Sequence, residues 1–386
     1  MYWIYSLSFL LLTSILERGR FSTITYKFSL LILFFIVTGN YYNGIDWMNY
    51  QYHYDAIVQN VGSPGYLAYE PGFMLVMYFF GSVLGVENFH AVVFFSCSIA
   101  IFSIANFIKR IPFRFNRSLF LFTTIAFIYP LFNDAIRQLL AFSVLLPFLP
   151  EIHKCSSKKI IIICICASLF HASAILMIPV LFILKMQLTK KNMLILLLFA
   201  TLFVILLTSL NIIVSSLSSF IPQLLYAKLS SYLAKTSDFK LGLFAIIDCL
   251  GILFIYFSSR RHQEEREKNV YAMGGYIFFL FHLAFYTAPF LQRLLYFIFP
   301  LVVVHAEVVF SRGSLTSITK VLLPITFIMA VSVFMRNITN PYYSADFSDP
   351  KFFYTIILSG ESFETDTLKA KKCIVINDFD PDFCPR

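Results

Sequence analysis

The stretch SLFLFTTIAFIYPLF (118–132), NDAIRQ (133–138) and LLAFSVLLPFL (139–149) places a short polar hinge between two apolar runs. No longer loop separates the runs, so Arg137 begins a helix that returns into the apolar layer. A charged side chain at membrane depth costs about 2.5–3.5 kcal/mol even on insertion scales, so such residues usually face a cavity. Gln292-Arg293 repeats the arrangement between two later apolar runs. We therefore predict a membrane protein in which two arginines stand at the mouths of helical hairpins.

The composition places the whole chain in the same class. Of its 386 residues, 59% are hydrophobic and 13% are charged, whereas soluble domains carry about 25% charged residues. The net charge of +9 does not indicate nucleic acid as a partner, because the basic residues lie in short clusters between apolar runs, where they orient the spans. We predict an all-α, polytopic integral membrane protein with roughly 11–13 transmembrane or re-entrant helices.

The apolar runs and the basic clusters together predict a topology. The runs fall near 2–16, 28–42, 73–87, 89–108, 118–132, 135–149, 160–184, 193–217, 241–257, 270–289, 294–310 and 321–338. Basic clusters mark the cytoplasmic ends, which puts the 133–138 hinge, Gln292-Arg293 and loop 40–72 outside. We expect a transmembrane domain over 1–338 and a polar C-terminal tail over 339–386, also outside. In that oxidising location Cys373 and Cys384 would form a disulfide.

Two runs depart from simple spans. Run 160–184 has lysines at both ends, so we predict a hairpin of two half-helices with Phe170-His171 at its tip. Between 73 and 108 the basic clusters require an odd number of crossings, yet two apolar runs are present. We expect run 73–87 to be re-entrant.

Candidate binding residues lie in the outward segments. Loop 40–72 is dense in aromatic rings and carboxylates, a composition suited to stacking on sugars and accepting hydrogen bonds from their hydroxyls; an aromatic belt at the membrane surface is the alternative. The candidate glycan contacts are Trp47, Tyr50, Tyr54, Glu70 and Asp134.

Arg137 and Arg293 are candidates for phosphate or diphosphate binding, because the planar guanidinium binds phosphate oxygens in pairs. A structural ion pair of Arg137 with Asp134 is the alternative. His171 and Asp46 are the candidate proton acceptors; for His171 a hydrogen-bonded core role remains open. The sequence shows no Gly-rich phosphate loop, nucleophile elbow or clustered metal ligands, so we predict neither a metal nor a cofactor.

Three further titratable residues lie inside apolar runs. Asp248 is costly there unless it is paired or protonated, so we expect it to have a structural, hydrogen-bonded role. His282 and His305 are weaker functional candidates.

Several short motifs, taken in their order along the chain, resemble those of a known family. They are Gly44-x-Asp46 with Tyr50 and Tyr54, Glu70-Pro71-Gly72-Phe73, Ile136-Arg137-Gln138 with Ala141, Phe170-His171-x-Ser173-Ala174, and Arg293 with Tyr296. The chain resembles the EpsG-like branch of bacterial Wzy polysaccharide polymerases over roughly residues 40–300. The resemblance implies a multi-pass inner-membrane glycosyltransferase that polymerises undecaprenyl-diphosphate-linked repeat units outside the cytoplasm, for O-antigen or exopolysaccharide. A chain-length regulator and a flippase are the implied protein partners.

Other functions would use some of the same residues. A flippase for the lipid-linked unit would also need arginines for the diphosphate, but transporters often show two related halves, which are not evident here. A membrane O-acyltransferase would need a reactive histidine, for which His282 or His305 would serve. A purely structural partner of a glycan-assembly complex is the third alternative.

Overall fold

The computed structural model describes residues 2–17, 22–59, 68–216, 242–259, 266–311, 319–340, 343, 351–360 and 365–377. The regular elements in these ranges are helices. One isolated β-bridge, between Asn40 and Phe352, is present in addition. The α-helices, in chain order, are α1 Tyr2–Leu16, α2 Ser22–Gly39, α3 Asp46–Val58, α4 Pro71–Tyr78, α5 His90–Arg110, α6 Arg117–Asn133, α7 Ile136–Leu145, α8 Ser157–Ser168, α9 Met177–Leu184, α10 Lys190–Ser216, α11 Leu243–Ser259, α12 Arg266–Ala284, α13 Pro289–Gln292, α14 Phe299–Ser311, α15 Leu322–Ile338, α16 Phe353–Ser359 and α17 Thr365–Asn377.

The helices have the length and polarity of membrane segments. Among the described helices, Ser22–Gly39, His90–Arg110 and Lys190–Leu207 are long and apolar enough to cross a membrane, and seven shorter apolar helices accompany them. A straight span needs about 20 apolar residues. The predicted all-α polytopic fold is confirmed, and the short helices indicate that several segments enter the apolar layer as broken or partial spans.

Helix α6 is the central element. Every residue from Phe120 to Asn133 is buried, so the helix is apolar all round and contacts protein on every side. It begins at Arg117, with Asn116 as the N-cap accepting from the Leu119 N–H. After Asn133 the chain turns sharply into α7, which places the 133–138 hinge at one end of the bundle.

The hairpin over 160–184 is confirmed. Helix α8 ends at Ser168, the chain turns at Leu169–His171, and a 3₁₀ turn over Ala172–Leu176 leads into α9. Both ends of the hairpin lie together, since the Lys185 ammonium donates to the Cys155 carbonyl at 2.7 Å. His171 therefore stands at the tip of the hairpin.

Run 73–87 forms a short helix. Helix α4 continues as a π-helical turn over Phe79–Val83 and ends there. At about 1.5 Å per residue this element is shorter than a bilayer core of about 30 Å. Its length is consistent with the expected re-entrant segment; the number of crossings between 73 and 108 stays a prediction.

Loop 40–72 is not a loop throughout, because α3 lies inside it. Trp47, Tyr50 and Tyr54 lie on the buried side of α3 and expose 1% of their surface or less. The spacing of these residues, three and four apart, is that of one helix face. Because the segment is rich in hydroxyl and indole groups, its sequence pattern did not predict a helix that packs on the bundle.

The described parts of the C-terminal tail pack on the end of the bundle that holds the 133–138 hinge. Phe352 bridges to Asn40, the Phe353 ring stacks on His90 at 3.8 Å between centroids, and the Lys372 ammonium donates to the Gly44 carbonyl at 2.7 Å. Cys97, Cys155, Cys164, Cys166 and Cys249 are free thiols. Cys373 is disulfide-bonded, and Cys384 lies outside the described residues.

Candidate functional site

Arg137 and Glu70 form the centre of a first polar cluster. Arg137 Nη1 lies 2.7 Å from Glu70 Oε2, and the two side chains are 23% and 16% exposed. The guanidinium also donates from Nε to the Tyr50 hydroxyl at 3.2 Å and lies 4.7 Å from the centroid of the Tyr69 ring. Arg137 therefore makes an ion pair, as the alternative interpretation expected, but its partner is Glu70, sixty-seven residues earlier, and not Asp134.

The hairpin tip joins this cluster through Glu70. The Ala172 N–H donates to Glu70 Oε1 at 3.0 Å, and the Gly72 N–H donates to the Leu169 carbonyl at 2.7 Å. His171 Nδ1 lies 3.6 Å from the same Glu70 oxygen. Burial opposes ionisation of Glu70, but His171, the Ala172 N–H and the charge of Arg137 outweigh it and lower the pKa of Glu70 to about 2. Glu70 is therefore a permanent anion that holds His171 beside Arg137.

Asp134 organises the start of α3. Its Oδ1 accepts the backbone N–H groups of Ile45 and Asp46 at 2.6 and 2.7 Å, and its Oδ2 accepts the Tyr343 hydroxyl at 3.0 Å. Burial and the nearby Asp46 charge raise the pKa of Asp134 to about 6. With three donors on its oxygens, Asp134 positions Asp46, whose Oδ2 in turn accepts the Tyr50 hydroxyl at 3.2 Å.

A cavity of about 320 Å³ opens on the other side of the 133–138 hinge. Arg293 and Arg336 both line it, and neither guanidinium makes an ion pair or a hydrogen bond with any residue that the structure describes. Gln138 connects the two sites, since it lines the cavity and its Nε2 donates to the Arg293 carbonyl at 2.7 Å. The Asp134 carboxylate lines the same cavity and its charge acts on Arg293, but two guanidiniums without a direct ion pair in one cavity still favour an anionic ligand.

A buried pair of a histidine and an aspartate lies at the cavity wall. His282 lines the cavity, and its Nδ1 lies 2.8 Å from Asp248 Oδ2 and 2.9 Å from Asp248 Oδ1. Asp248 is fully buried, so this pairing agrees with the expectation of a hydrogen-bonded partner inside the span. His305, in contrast, bonds to the Ser258 hydroxyl at 3.0 Å through Nε2 and does not line the cavity.

The geometry sorts the predicted site residues into two neighbouring groups. Arg137, Glu70, Tyr50, Asp46 and His171 meet in the first cluster, while Arg293 and Asp134 line the cavity. Tyr54 and Trp47 meet neither group: the Tyr54 hydroxyl donates to the Val86 carbonyl at 2.6 Å, and Trp47 packs edge-on against Phe89. Both side chains are buried, so a sugar does not reach them in this conformation.

Sequence reasoning missed Arg336 as a site residue. It lies in the last turn of α15, inside an apolar run of the sequence. The signal was the one that singled out Arg137, a cation at the end of an apolar run, and it applies equally to Arg336.

The family match covers nearly the whole of this architecture. The model of the EpsG family matches residues 2–347, which include both polar groups and every helix through α15. The chain belongs to the EpsG family. It is accordingly a polysaccharide-related membrane protein, as the motifs predicted, and the part of the tail after 347 lies outside the match. No curated protein and no solved structure matches the chain.

Proposed function

We propose that this EpsG-family protein is a polysaccharide polymerase. It transfers a growing glycan from undecaprenyl diphosphate to the next lipid-linked repeat unit, on the outer face of the bacterial inner membrane. The observation that carries the proposal is the pair of guanidiniums, Arg293 and Arg336, that line one cavity without a direct ion pair to a described residue. A lipid diphosphate supplies a direct anionic partner for both.

The chemistry requires charge stabilisation at the leaving group. As the bond between the sugar and the diphosphate breaks, negative charge accumulates on the diphosphate oxygens, and fixed cations in a cavity lower the energy of that state. Arg293 and Arg336 serve this role without a metal ion. We propose that Arg137, whose charge Glu70 already balances, holds the second lipid-linked unit in the neighbouring cluster.

The acceptor needs a base beside it. The hydroxyl that attacks the sugar must lose its proton in or after the transition state. The sequence predicts His171, at the hairpin tip, and Asp46, at the start of α3, as candidates, and His282 is the histidine that lines the cavity of Arg293 and Arg336.

Deletion of the gene followed by electrophoresis of the surface glycan tests the function. Without a polymerase we expect the lipid core to carry a single repeat unit, and Arg293→Ala or Arg336→Ala on a plasmid not to restore the ladder of longer products. A core without any repeat unit would instead assign transport of the lipid-linked unit. An unchanged ladder in the deletion strain would contradict both.

Metal independence has its own measurement. Elongation in membranes treated with EDTA should proceed at the untreated rate, because the two arginines supply the positive charge. Loss of elongation that magnesium or manganese restores would contradict this part of the proposal.

A further inference from the structure

The Asp248–His282 pair has the geometry of an oriented base. Asp248 comes from the middle of α11 and His282 from the last turn of α12, and both carboxylate oxygens lie within 2.9 Å of Nδ1. A carboxylate at Nδ1 fixes the tautomer that keeps the proton on Nδ1 and leaves Nε2 with its lone pair. Burying a carboxylate inside an apolar run costs free energy, so a role beyond structure is expected for the pair.

The ring of His282 is fixed in place and its second nitrogen is available. Phe278 stacks on it with planes 7° apart, and Phe244 and Tyr286 pack edge-on at 6.2 and 5.4 Å between centroids. Nε2 makes no hydrogen bond with any residue that the structure describes, and the side chain lines the cavity that holds Arg293. A rigid imidazole with a free basic nitrogen thus borders the cavity.

We propose that His282, oriented by Asp248, is the general base of the glycan transfer. This proposal rests on the proposed function. In the step, Nε2 takes the proton of the acceptor hydroxyl, the hydroxyl oxygen forms the new bond to the anomeric carbon, and the bond from that carbon to the diphosphate oxygen breaks. The diphosphate leaves with the electron pair beside Arg293 and Arg336. The imidazolium is stabilised by Asp248 and afterwards releases the proton to solvent.

The other histidines and carboxylates are less suited to this role. His171 lies in the neighbouring cluster, beside an ionised Glu70 that already pairs with Arg137, and not in the cavity that Arg293 and Arg336 line. The Asp46 carboxylate accepts the Tyr50 hydroxyl. His282 is the histidine among the cavity-lining residues.

Several titratable and charged groups lie around His282. The titratable and charged groups on the packed elements are Asp248 on α11, Tyr286 after α12, Arg293 and Tyr296 on the 293–297 turn, Arg336 on α15, Asp134 at the hinge and Tyr343 in the tail. We expect elongation to fall on the acid side as the imidazole takes up a proton.

The test uses the full-length protein in membranes of the deletion strain, in which lipid-linked repeat units accumulate. The rate of chain elongation is measured by electrophoresis for wild type, His282→Ala and the matched control His305→Ala. We expect a loss of about 10²–10⁴-fold for His282→Ala, the usual contribution of a general base, partly restored by added imidazole. We expect His305→Ala to elongate at nearly the wild-type rate.

Binding and pH measurements separate catalysis from folding. Purified His282→Ala should bind undecaprenyl diphosphate as wild type does, since the arginines remain. If His282→Ala does not accumulate, Asp248→Asn is the second test. We expect this variant to elongate more slowly and the acid limb of its pH profile to lie at lower pH, because the imidazole has lost its carboxylate. A wild-type rate in His282→Ala, or an unmoved acid limb in Asp248→Asn, would overturn the proposal. If wild-type protein itself does not elongate the units, the proposed function fails instead.

Discussion

At the scale of single residues, Arg137 is held in a position that the helix itself does not favour. It is the second residue of α7, where the positive end of the helix dipole repels a cation. Glu70 and the rings of Tyr50 and Tyr69 offset this repulsion. A residue kept at an unfavourable place by three partners from elsewhere in the chain is expected to have a role in binding.

Replacing Arg137 tests that expectation. Lysine keeps the charge but lacks the planar guanidinium that donates from Nη1 to Glu70 and from Nε to the Tyr50 hydroxyl, so we expect Arg137→Lys to retain little elongation and Arg137→Ala almost none. The measurement is the length distribution of surface glycan at matched protein abundance. Lys159→Ala removes another cation that lies over an aromatic ring, at Phe148, and should leave the distribution intact. A full-length ladder from Arg137→Ala would remove Arg137 from the site.

Acidity should not break the Arg137–Glu70 pair in any physiological range. The pKa of Glu70 is lowered to about 2, so the stabilisation from its ionised form is fully present above the unfolded value of about 4.3. It is lost only as the pH falls through about 2. An acid limb of activity between pH 5 and 7 therefore belongs to another group.

At the scale of elements, the start of α3 depends on a close approach between Gly44 and the hinge. Gly44 has φ +77°, and a Cβ there would meet Asp134 Oδ1 and the Asn133 carbonyl closer than real Cβ atoms come. Gly85 has a similar φ of +63° but nothing within 4 Å of its Cβ position. The two glycines share the backbone conformation and differ in the space beside them.

The pair Gly44→Ala and Gly85→Ala separates these effects. In both variants an alanine is held in the left-handed conformation, which costs about 1–2 kcal/mol of folding free energy. Only Gly44→Ala also pushes Asp134 away from the Ile45 and Asp46 N–H groups. We expect Gly44→Ala to lower thermal stability in detergent and to abolish elongation, and Gly85→Ala to lower stability slightly. Equal effects of the two substitutions would show that the approach to Asp134 does not matter.

The elements themselves were largely predictable from the sequence, because apolar runs in a membrane protein mark helices directly. The run 2–16 became Tyr2–Leu16, and the lysines flanking 160–184 correctly indicated a hairpin. Helix α3 was missed because its buried face consists of Tyr and Trp, which also occur in surface loops. The partner of Arg137 was missed because pairing across sixty-seven residues has no local signal, and the Asp248–His282 pair for the same reason.

At the scale of the whole molecule, the polar residues predicted outside and those predicted at the cytoplasmic ends form separate sets of contacts. The residues predicted outside meet one another, as in the contacts of Glu70 with Arg137 and of Asp134 with Tyr343. Residues at the predicted cytoplasmic ends also meet one another: Arg110 pairs with Glu151 at 3.6 Å and donates to the Pro147 carbonyl at 3.0 Å. These contacts agree with the charge pattern of the sequence, and the side of the membrane on which each set lies stays a prediction.

The predicted topology makes a prediction about accessibility. In a variant in which the exposed thiols Cys166 and Cys249 are replaced by alanine, single cysteines at exposed positions of the two ends are treated with an impermeant thiol reagent in intact spheroplasts. Tyr52→Cys on α3 and Leu358→Cys on α16, at positions 68% and 85% exposed, should be labelled. Lys158→Cys, exposed at the start of α8, should be labelled only after the membrane is opened, because its basic cluster is predicted to face the cytoplasm. Labelling of Lys158→Cys alone would invert the topology and place Arg137, Arg293 and Arg336 on the cytoplasmic side, where the proposed polymerisation does not take place.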